Sequence, residues 1–479
     1  MPNQQSKTHG PGRRAKIVCT LGPATSTVAQ VEAMVRAGMD VARLNLSHGT
    51  HDEHRQLFAH VRSAASAVGR VVGILADLQG PRIRLGVFEQ GGAHLVAGDR
   101  FVLSTEPVLG STLCASTDYP LLAQEVGVGD EILANEGRVR LEVLGSDGSN
   151  IRCRVVRGGF VGDRKGLNLP GVDISAPALT PKDADDLRFM LDLGVDLVAL
   201  SFVRRPSDVE LARAVMDDVG RRVPVLAKLE TPQAVAALAE VVAAFDGLMV
   251  ARGDLGVELP LEQVPLVQKR AILVSREQAK PVIVATQMLE SMTTADRPTR
   301  AEVSDVANAV LDGADAMMLS GETAVGLWPT ETVETMAVVI AATEQGQVGV
   351  QPSLELRVTG REEAISLAAV VVAFTTNAAA LVAFTETGST ARRVAAHRPG
   401  LPLLVFTPHQ SVQRQLTLVW GVESFVAPRV ATTDELIEAV DRSIRDLGRA
   451  DAGETVVVVA GTPPGTPGNT NSIRLHSLT

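Results

Sequence analysis

Two rhythms of apolar residues alternate along the first two-thirds of the chain. One is short and dense: KIVCTLG (16–22), VARLNLS (41–47), VGILADL (72–78), LVALSFV (197–203), PVLAKLE (224–230), GLMVARG (247–253), PVIVATQM (281–288) and DAMMLSG (315–321). Runs of this length, rich in Val, Ile and Leu, read as strands buried on both faces. The other rhythm returns every three to four residues, in VAQVEAMVRAG (28–38), EHRQLFAHVRSAASAVG (53–69), KDADDLRFMLDLG (182–194) and RAEVSDVANAVLDG (300–313). That is the period of an amphipathic helix, and each of the four closes on a glycine suited to a helix C-terminus (Gly38, Gly69, Gly194, Gly313). Strand and helix in alternation specify a parallel sheet, and eight strands are the number that closes a (β/α)8 TIM barrel. An open doubly wound sheet satisfies the same alternation. What favours the barrel is that nearly every strand ends in polar residues, at the end where barrel enzymes build their sites.

Between 81 and 179 the alternation stops. Short runs such as RFVLST (100–105), GDEILA (129–134) and RVRLEVL (138–144) lie between turn residues, the texture of a small all-β insert. It returns through GGFVGDRKGLNLPG (158–171), whose glycines and Lys165 read as a cationic tip facing the barrel mouth. The expected division is therefore barrel in 1–80 and 180–346, inserted β domain in 81–179, and a smaller α/β domain in 347–479. In the last of these, LVAFTETGSTARRVAAHRP (381–399) reads as strand, hydroxyl-rich loop and helix. Such a loop fits a phosphate site at a helix N-terminus and an ordinary N-cap equally well.

Composition narrows the function. The 479 residues carry a net charge of −10, so an anionic substrate must be met by local cations rather than by a basic envelope. Aromatic residues make up 3%, which argues against a base-stacking nucleic-acid surface. The three cysteines (Cys19, Cys114, Cys153) are too dispersed for a zinc site or a disulfide framework, and a reducing cytoplasm is the simplest setting. The longest apolar stretch, near 365–384, is broken by Thr375, Thr376 and Asn377, so no membrane span is expected.

Candidate chemistry follows from strand phase. Residues two apart share a side of a strand, which brings Lys228 and Glu230 together near the end of the fifth run. The same reasoning puts Arg252 with Asp254 in the sixth, and Arg43 with Asn45 and Ser47 in the second. Two carboxylates from neighbouring strand ends suit magnesium, and a lysine beside the metal suits an anionic substrate. Asp77, Arg84, Thr286, Ser320 and Glu322 lie at or just beyond other strand ends. Taken singly, each fits a cap or a surface salt bridge. Their convergence on one mouth favours a site.

Seven ordered stretches then carry a resemblance: RRAKIVCTLGPATS, GMDVARLNLSHG, RKGLNLPG, LAKLETP, MVARGDLGVELP, ATQMLESM and RPTRAEVSDVANAVLDGADAMMLSGETA. From about Arg14 to its end the chain resembles the bacterial three-domain pyruvate kinases. The resemblance implies a barrel with an inserted β-barrel lid and a C-terminal α/β regulatory domain. It also implies a cytoplasmic homotetramer that transfers the phosphoryl group of phosphoenolpyruvate to ADP, giving pyruvate and ATP in the last step of glycolysis. Carried over to this sequence, Glu230 and Asp254 are magnesium (or manganese) ligands, and Lys228 stabilises the transferring group. Arg43 binds its phosphate, Gly253, Asp254 and Thr286 contact substrate, and Thr286 stands near the carbon that is protonated. Asn45, His48, Arg84 and Lys165 adjoin the nucleotide. Asn45, Ser47, Asp77 and the carbonyl of Leu78 form the potassium pocket. Thr385, Thr387, Gly388, Ser389 and Thr390 form the phosphate loop of an allosteric effector.

The sequence departs from the family pattern in four places. Gln79 stands where lysine is frequent, and Glu136 where the lid has aspartate. Arg82 replaces the acidic residue of potassium-requiring forms, so its guanidinium is expected to substitute for potassium. The C-terminal stretch 460–479 lacks the Trp and Arg of forms that respond to fructose 1,6-bisphosphate, which favours a sugar or nucleotide monophosphate as effector. A magnesium-dependent aldolase on the same barrel would need neither the insert nor Arg84 and Lys165. A phosphate-sensing paralogue without activity would be expected to lose Lys228, Glu230 or Asp254.

Overall fold

Eight parallel strands close on one another: Lys16–Thr20, Val41–Asn45, Gly73–Asp77, Leu197–Leu200, Val225–Leu229, Gly247–Ala251, Val282–Ala285 and Ala316–Leu319, here counted first to eighth. The first pairs with the second (Thr20 opposite Arg43) and with the eighth (Cys19 opposite Leu319), so the ring is complete and the open sheet is excluded. The structure is a computed structural model describing residues 12–346, 360–430, 432–463, 465 and 468–479. The expected boundary at 347 lies outside the described residues, as do Pro464, Thr466 and Pro467 of the C-terminal stretch.

Side-chain alternation sorts the strands into two surfaces. Ile17, Cys19, Leu44, Ile74, Val198 and Val225 face outward and pack beneath the helices. Val18, Val41, Leu75, Leu197, Leu226, Met249, Ile283 and Ala316 fill the interior, one from each strand. Arg43, Asp77 and Lys228 stand two residues beyond Val41, Leu75 and Leu226, hence on the same inner surface. The interior is therefore apolar at mid-height and ionic at its C-terminal rim.

The opposite end is stoppered by the C-terminal part of the chain. Leu418, in the 3-10 turn Leu416–Leu418, is fully buried among the interior side chains. Thr417 lies against Gly73, where an added Cβ would fall 2.5 Å from Thr417 Oγ1 and 2.9 Å from the Arg414 carbonyl. Only glycine admits that approach. Around this plug Asp315 accepts from Arg398 at 3.1 and 3.2 Å and from the Trp420 N–H at 3.1 Å, while Lys16 Nζ donates to the Val422 carbonyl at 2.9 Å.

The insert forms a two-stranded sheet, Gly92–Leu95 with Gly159–Gly162, and a seven-stranded one in the order Ile83–Arg84, Gly166–Asn168, Glu131–Ala134, Val139–Ser146, Asn150–Arg157, Arg100–Ser104, Cys114–Ser116. Its two edges meet, since Leu85 bridges Thr117 and the Gly86 N–H donates to the Ser116 carbonyl at 2.8 Å. The expected small β-barrel thus closes around a core of its own. The C-terminal sheet runs Val422–Val426, Leu403–Thr407, Ala380–Phe384, Thr455–Gly461, Thr470–Ser477, with only the last strand antiparallel.

Candidate active site

Four charged side chains meet at the rim although little of any of them reaches water: Glu230 is 0% exposed, Asp77 1%, Lys228 8% and Arg43 9%. Arg43 Nε donates to Asp77 Oδ2 at 2.6 Å, and its Nη1 donates to Thr20 Oγ1 at 2.9 Å. Lys228 Nζ lies 2.8 Å from Glu230 Oε1 and 3.4 Å from Asp77 Oδ1. Its hydrogen bond goes instead to Ser201 Oγ at 2.6 Å, and Ser201 in turn donates to the Leu78 carbonyl at 2.7 Å. Glu230 Oε2 accepts the Phe202 N–H at 2.7 Å. The Lys228 ammonium is thus the one partner of the buried Asp77 Oδ1 and Glu230 Oε1 among the described residues.

The protonation states follow. Burial opposes the Lys228 charge, but Asp77, Glu230 and Asp254 outweigh it and hold its pKa above the ordinary lysine value. Burial likewise opposes ionised Asp77, and there Lys228 and Arg43 prevail and lower it. For Glu230 burial wins: with Asp254 adding and Lys228 opposing, its pKa is raised. The rim thus holds a cation that keeps its proton beside a carboxylate short of positive charge.

One strand reading is corrected. The sixth strand stops at Ala251, and Arg252–Glu258 is a helix, so Arg252 and Asp254 do not share a strand side. Arg252 turns away to the Thr286 carbonyl (2.7 Å) and Asp305 (2.8 Å), whereas Asp254 stays at the mouth with Arg82 Nη2 at 3.4 Å. Gly253 N–H donates to Thr286 Oγ1 at 2.7 Å, and that hydroxyl donates to the Ala285 carbonyl at 2.6 Å. Thr286 (φ 70°) and Phe202 (φ 52°) hold left-handed backbone at the ends of the seventh and fourth strands. Such strain, about 1–3 kcal/mol each, collects at functional sites.

A second correction concerns Ser47. The second strand ends at Asn45, and Ser47 lies in the following turn, its N–H donating to Asn45 Oδ1 at 3.2 Å. Asn45 still stands opposite Asp77 in register, and the Leu78 carbonyl already receives the Ser201 hydroxyl. Ser320 and Glu322 form a local brace, Glu322 accepting the Leu289 and Ser320 N–H groups. Above the rim, a cleft of about 1460 Å³ is lined by Ser47, His48, Arg82, Arg84, Lys165 and Asp254 among others. Arg82 pairs with Asp254 and lies 5.9 Å from the Phe202 ring centroid, the two contacts its guanidinium makes. Sequence reasoning missed Ser201, although its phase with Leu197 and Ala199 marks it as inward-facing.

Among the described residues no three His, Cys, Asp or Glu side chains form a self-sufficient metal cage. Magnesium does not need one, since it takes one or two carboxylates and completes its shell with substrate oxygens and water. The buried Glu230 carboxylate, in the field of Asp254 at the same mouth, fits that requirement. Away from the barrel, Gly388 N–H donates to Thr385 Oγ1 at 2.9 Å, and Thr390 Oγ1 bonds Thr470 Oγ1 at 2.7 Å. Thr385, Thr387, Ser389 and Thr390 surround a small hollow with Gly461 and Asn469 at the start of the helix Ser389–Ala396.

Buried cations and carboxylates at the C-terminal ends of barrel strands, beneath a β-barrel lid, define a (β/α)8-barrel enzyme for an anionic substrate. Comparison with known proteins makes this specific. The family "Pyruvate kinase, barrel domain" matches residues 12–333, and "Pyruvate kinase, alpha/beta domain" matches residues 363–476. A pyruvate kinase of Mycobacterium tuberculosis is 54% identical over 97% of this chain and 98% of its own. One from Geobacillus stearothermophilus is 44% identical over 97% of this chain and 80% of its own. The crystal structure of a pyruvate kinase from Cryptosporidium parvum superposes with a TM-score of 0.90 at 34% identity, covering 99% of this chain and 98% of that one. The chain belongs to the pyruvate kinase family.

Proposed function

We propose that this enzyme transfers the phosphoryl group of phosphoenolpyruvate to ADP, releasing pyruvate and ATP in the last step of glycolysis. The observation that carries the reading is the buried rim cluster, in which Lys228 keeps its proton between Asp77 and Glu230. The transferring group spreads negative charge over its oxygens, so catalysis asks for positioning and fixed positive charge rather than a protein nucleophile. Lys228 and Arg43 supply that charge, held by Ser201, Asp77 and Thr20. Gly253 and Thr286 place the substrate, and Arg84, Lys165, Asn45 and His48 meet the nucleotide. Glu230 and Asp254 are the residues to hold magnesium or manganese, which neutralises substrate oxygens. Displacement of water by the lid strengthens each of these charges.

The finer assignments are proposals on the same footing. The working domain limits are 81–179 for the lid and 347–479 for an allosteric domain whose loop Thr385–Thr390 takes a phosphorylated effector. The protein works as a cytoplasmic homotetramer, and no helix among the described residues is long and apolar enough to cross a membrane. Arg82 supplies charge near the Asn45, Ser47, Asp77 and Leu78 pocket, so potassium is dispensable. A coupled assay with phosphoenolpyruvate, ADP and magnesium tests the core reading: ATP forms, and its absence overturns the assignment. Repeating it without potassium tests Arg82, where near-zero activity restored by potassium refutes the substitution.

A further inference from the structure

The helix Arg252–Glu258 touches the lid at two points. Asn168 Nδ2, at the end of the lid strand Gly166–Asn168, donates to Glu258 Oε1 at 2.9 Å. One residue earlier on the helix, Val257 lies beneath the lid turn 135–137, where a Cβ added to Gly137 would fall 3.6 Å from Val257 Cγ1. The two points belong to one unit. Asn168 pairs with Leu133, and Leu167 with Ala134, in the strand that leads directly into that turn. The same unit carries the nucleotide candidates, since Gly166 pairs with Arg84 and Lys165 precedes it. The helix carries Gly253 and Asp254 toward its other end.

Packing alone does not account for Glu258. A half-buried carboxylate in the field of Asp254 and Glu230 costs more than an apolar side chain of the same size. What a carboxyl group offers is an acceptor oxygen for the Asn168 N–H that reaches it from the lid. We propose that Glu258 is a positioning residue that clasps the lid to the helix bearing Asp254 and so sets Arg84 and Lys165 over the mouth, where the phosphates of a nucleoside diphosphate bind. The proposal rests on the kinase reading for its substrate and on the Asn168 and Val257 contacts for its geometry.

Steady-state kinetics of the full-length enzyme test it. Glu258→Ala and Asn168→Ala should each raise KM for ADP about tenfold, the loss of the one hydrogen bond they share, and leave KM for phosphoenolpyruvate and the magnesium requirement unchanged. Glu258→Gln keeps an acceptor for Asn168 and should restore most of the loss, and the double alanine variant should be no worse than either single one. Backbone hydrogen exchange at 135–137 and 166–169 should quicken in Glu258→Ala. That readout needs no turnover, so it separates failure of the clasp from failure of the kinase assignment. Equal losses for ADP and phosphoenolpyruvate, a raised magnesium requirement, additive single variants, or unchanged exchange would each overturn the proposal.

Discussion

The two ends of the barrel use inward-facing polar groups in opposite ways. At the floor, Asp315 is surrounded by donors: two from Arg398, the Trp420 N–H and the Val282 N–H. Lys16 gives its ammonium to a carbonyl, and Leu418 fills the apolar space between. What remains unbonded there is N–H of arginine, at Arg276 Nε and Arg398 Nε. At the rim, among the described residues, the unbonded atoms include the Ser320 hydroxyl and two carboxylate oxygens, Asp77 Oδ1 and Glu230 Oε1, that meet only the Lys228 ammonium. The floor is built to hold the C-terminal sheet, whereas the rim keeps acceptors and positive charge available for a ligand. The same alternation along the same strands produces both.

Lys228→Met tests the contrast most severely. It should lower kcat about a thousandfold or more, as expected when a preorganised charge at a transferring group is lost, while circular dichroism shows the fold retained. Robust turnover would remove Lys228 from the chemistry. Leu418→Ala is the matching change at the floor. It should cost about 2–5 kcal/mol of stability through the cavity it leaves, seen as a lower denaturation midpoint, with kcat of the folded enzyme close to wild type. A Leu418→Ala enzyme that stayed as stable but lost activity like Lys228→Met would erase the distinction between the two ends.

How much of this was legible depended on whether a residue's neighbours are close in sequence. Strand phase groups Lys228 with Glu230 and Arg43 with Asn45, strand ends mark Asp77, and the closed ring, the lid and the C-terminal sheet follow the expected pattern. Phase failed where the period changes. Beyond Ala251 the chain turns helical at once, and the glycines of ARGDLG hide that switch, so Arg252 was credited with a partner it does not face. Ser47 failed for the same reason, two residues past the strand end. The floor was not legible at all. LTL at 416–418 has no periodic signature, and only its packing against Gly73, more than three hundred residues earlier, makes it a plug.

A smaller effect is expected at Ser201, which joins the two behaviours because it passes the Lys228 hydrogen bond on to the Leu78 carbonyl. Ser201→Ala should lower kcat about tenfold, the value of one hydrogen bond to a charged group, with KM for ADP unchanged. Equal effects on both substrates' KM with normal kcat would place Ser201 in binding instead.

The smallest effect is in pH dependence, and it too should appear only at the rim. Burial, with the Asn168 donor opposing and Asp254 and Glu230 adding, pushes the Glu258 carboxyl from 4.5 up to about 7. A raised folded pKa means that the folded state holds this proton more tightly than the unfolded chain does. Its contribution to stability is therefore complete below about pH 4.5 and is lost as pH rises through 7. In metal-free buffer the thermal midpoint should fall between pH 5 and 8 by more in the wild type than in Glu258→Gln, which has no proton to lose. Leu418→Ala should lower the midpoint at every pH and leave that slope intact, because it removes packing and no titratable group. If Glu258→Gln kept the full slope, the charge held at the rim would belong to another carboxyl.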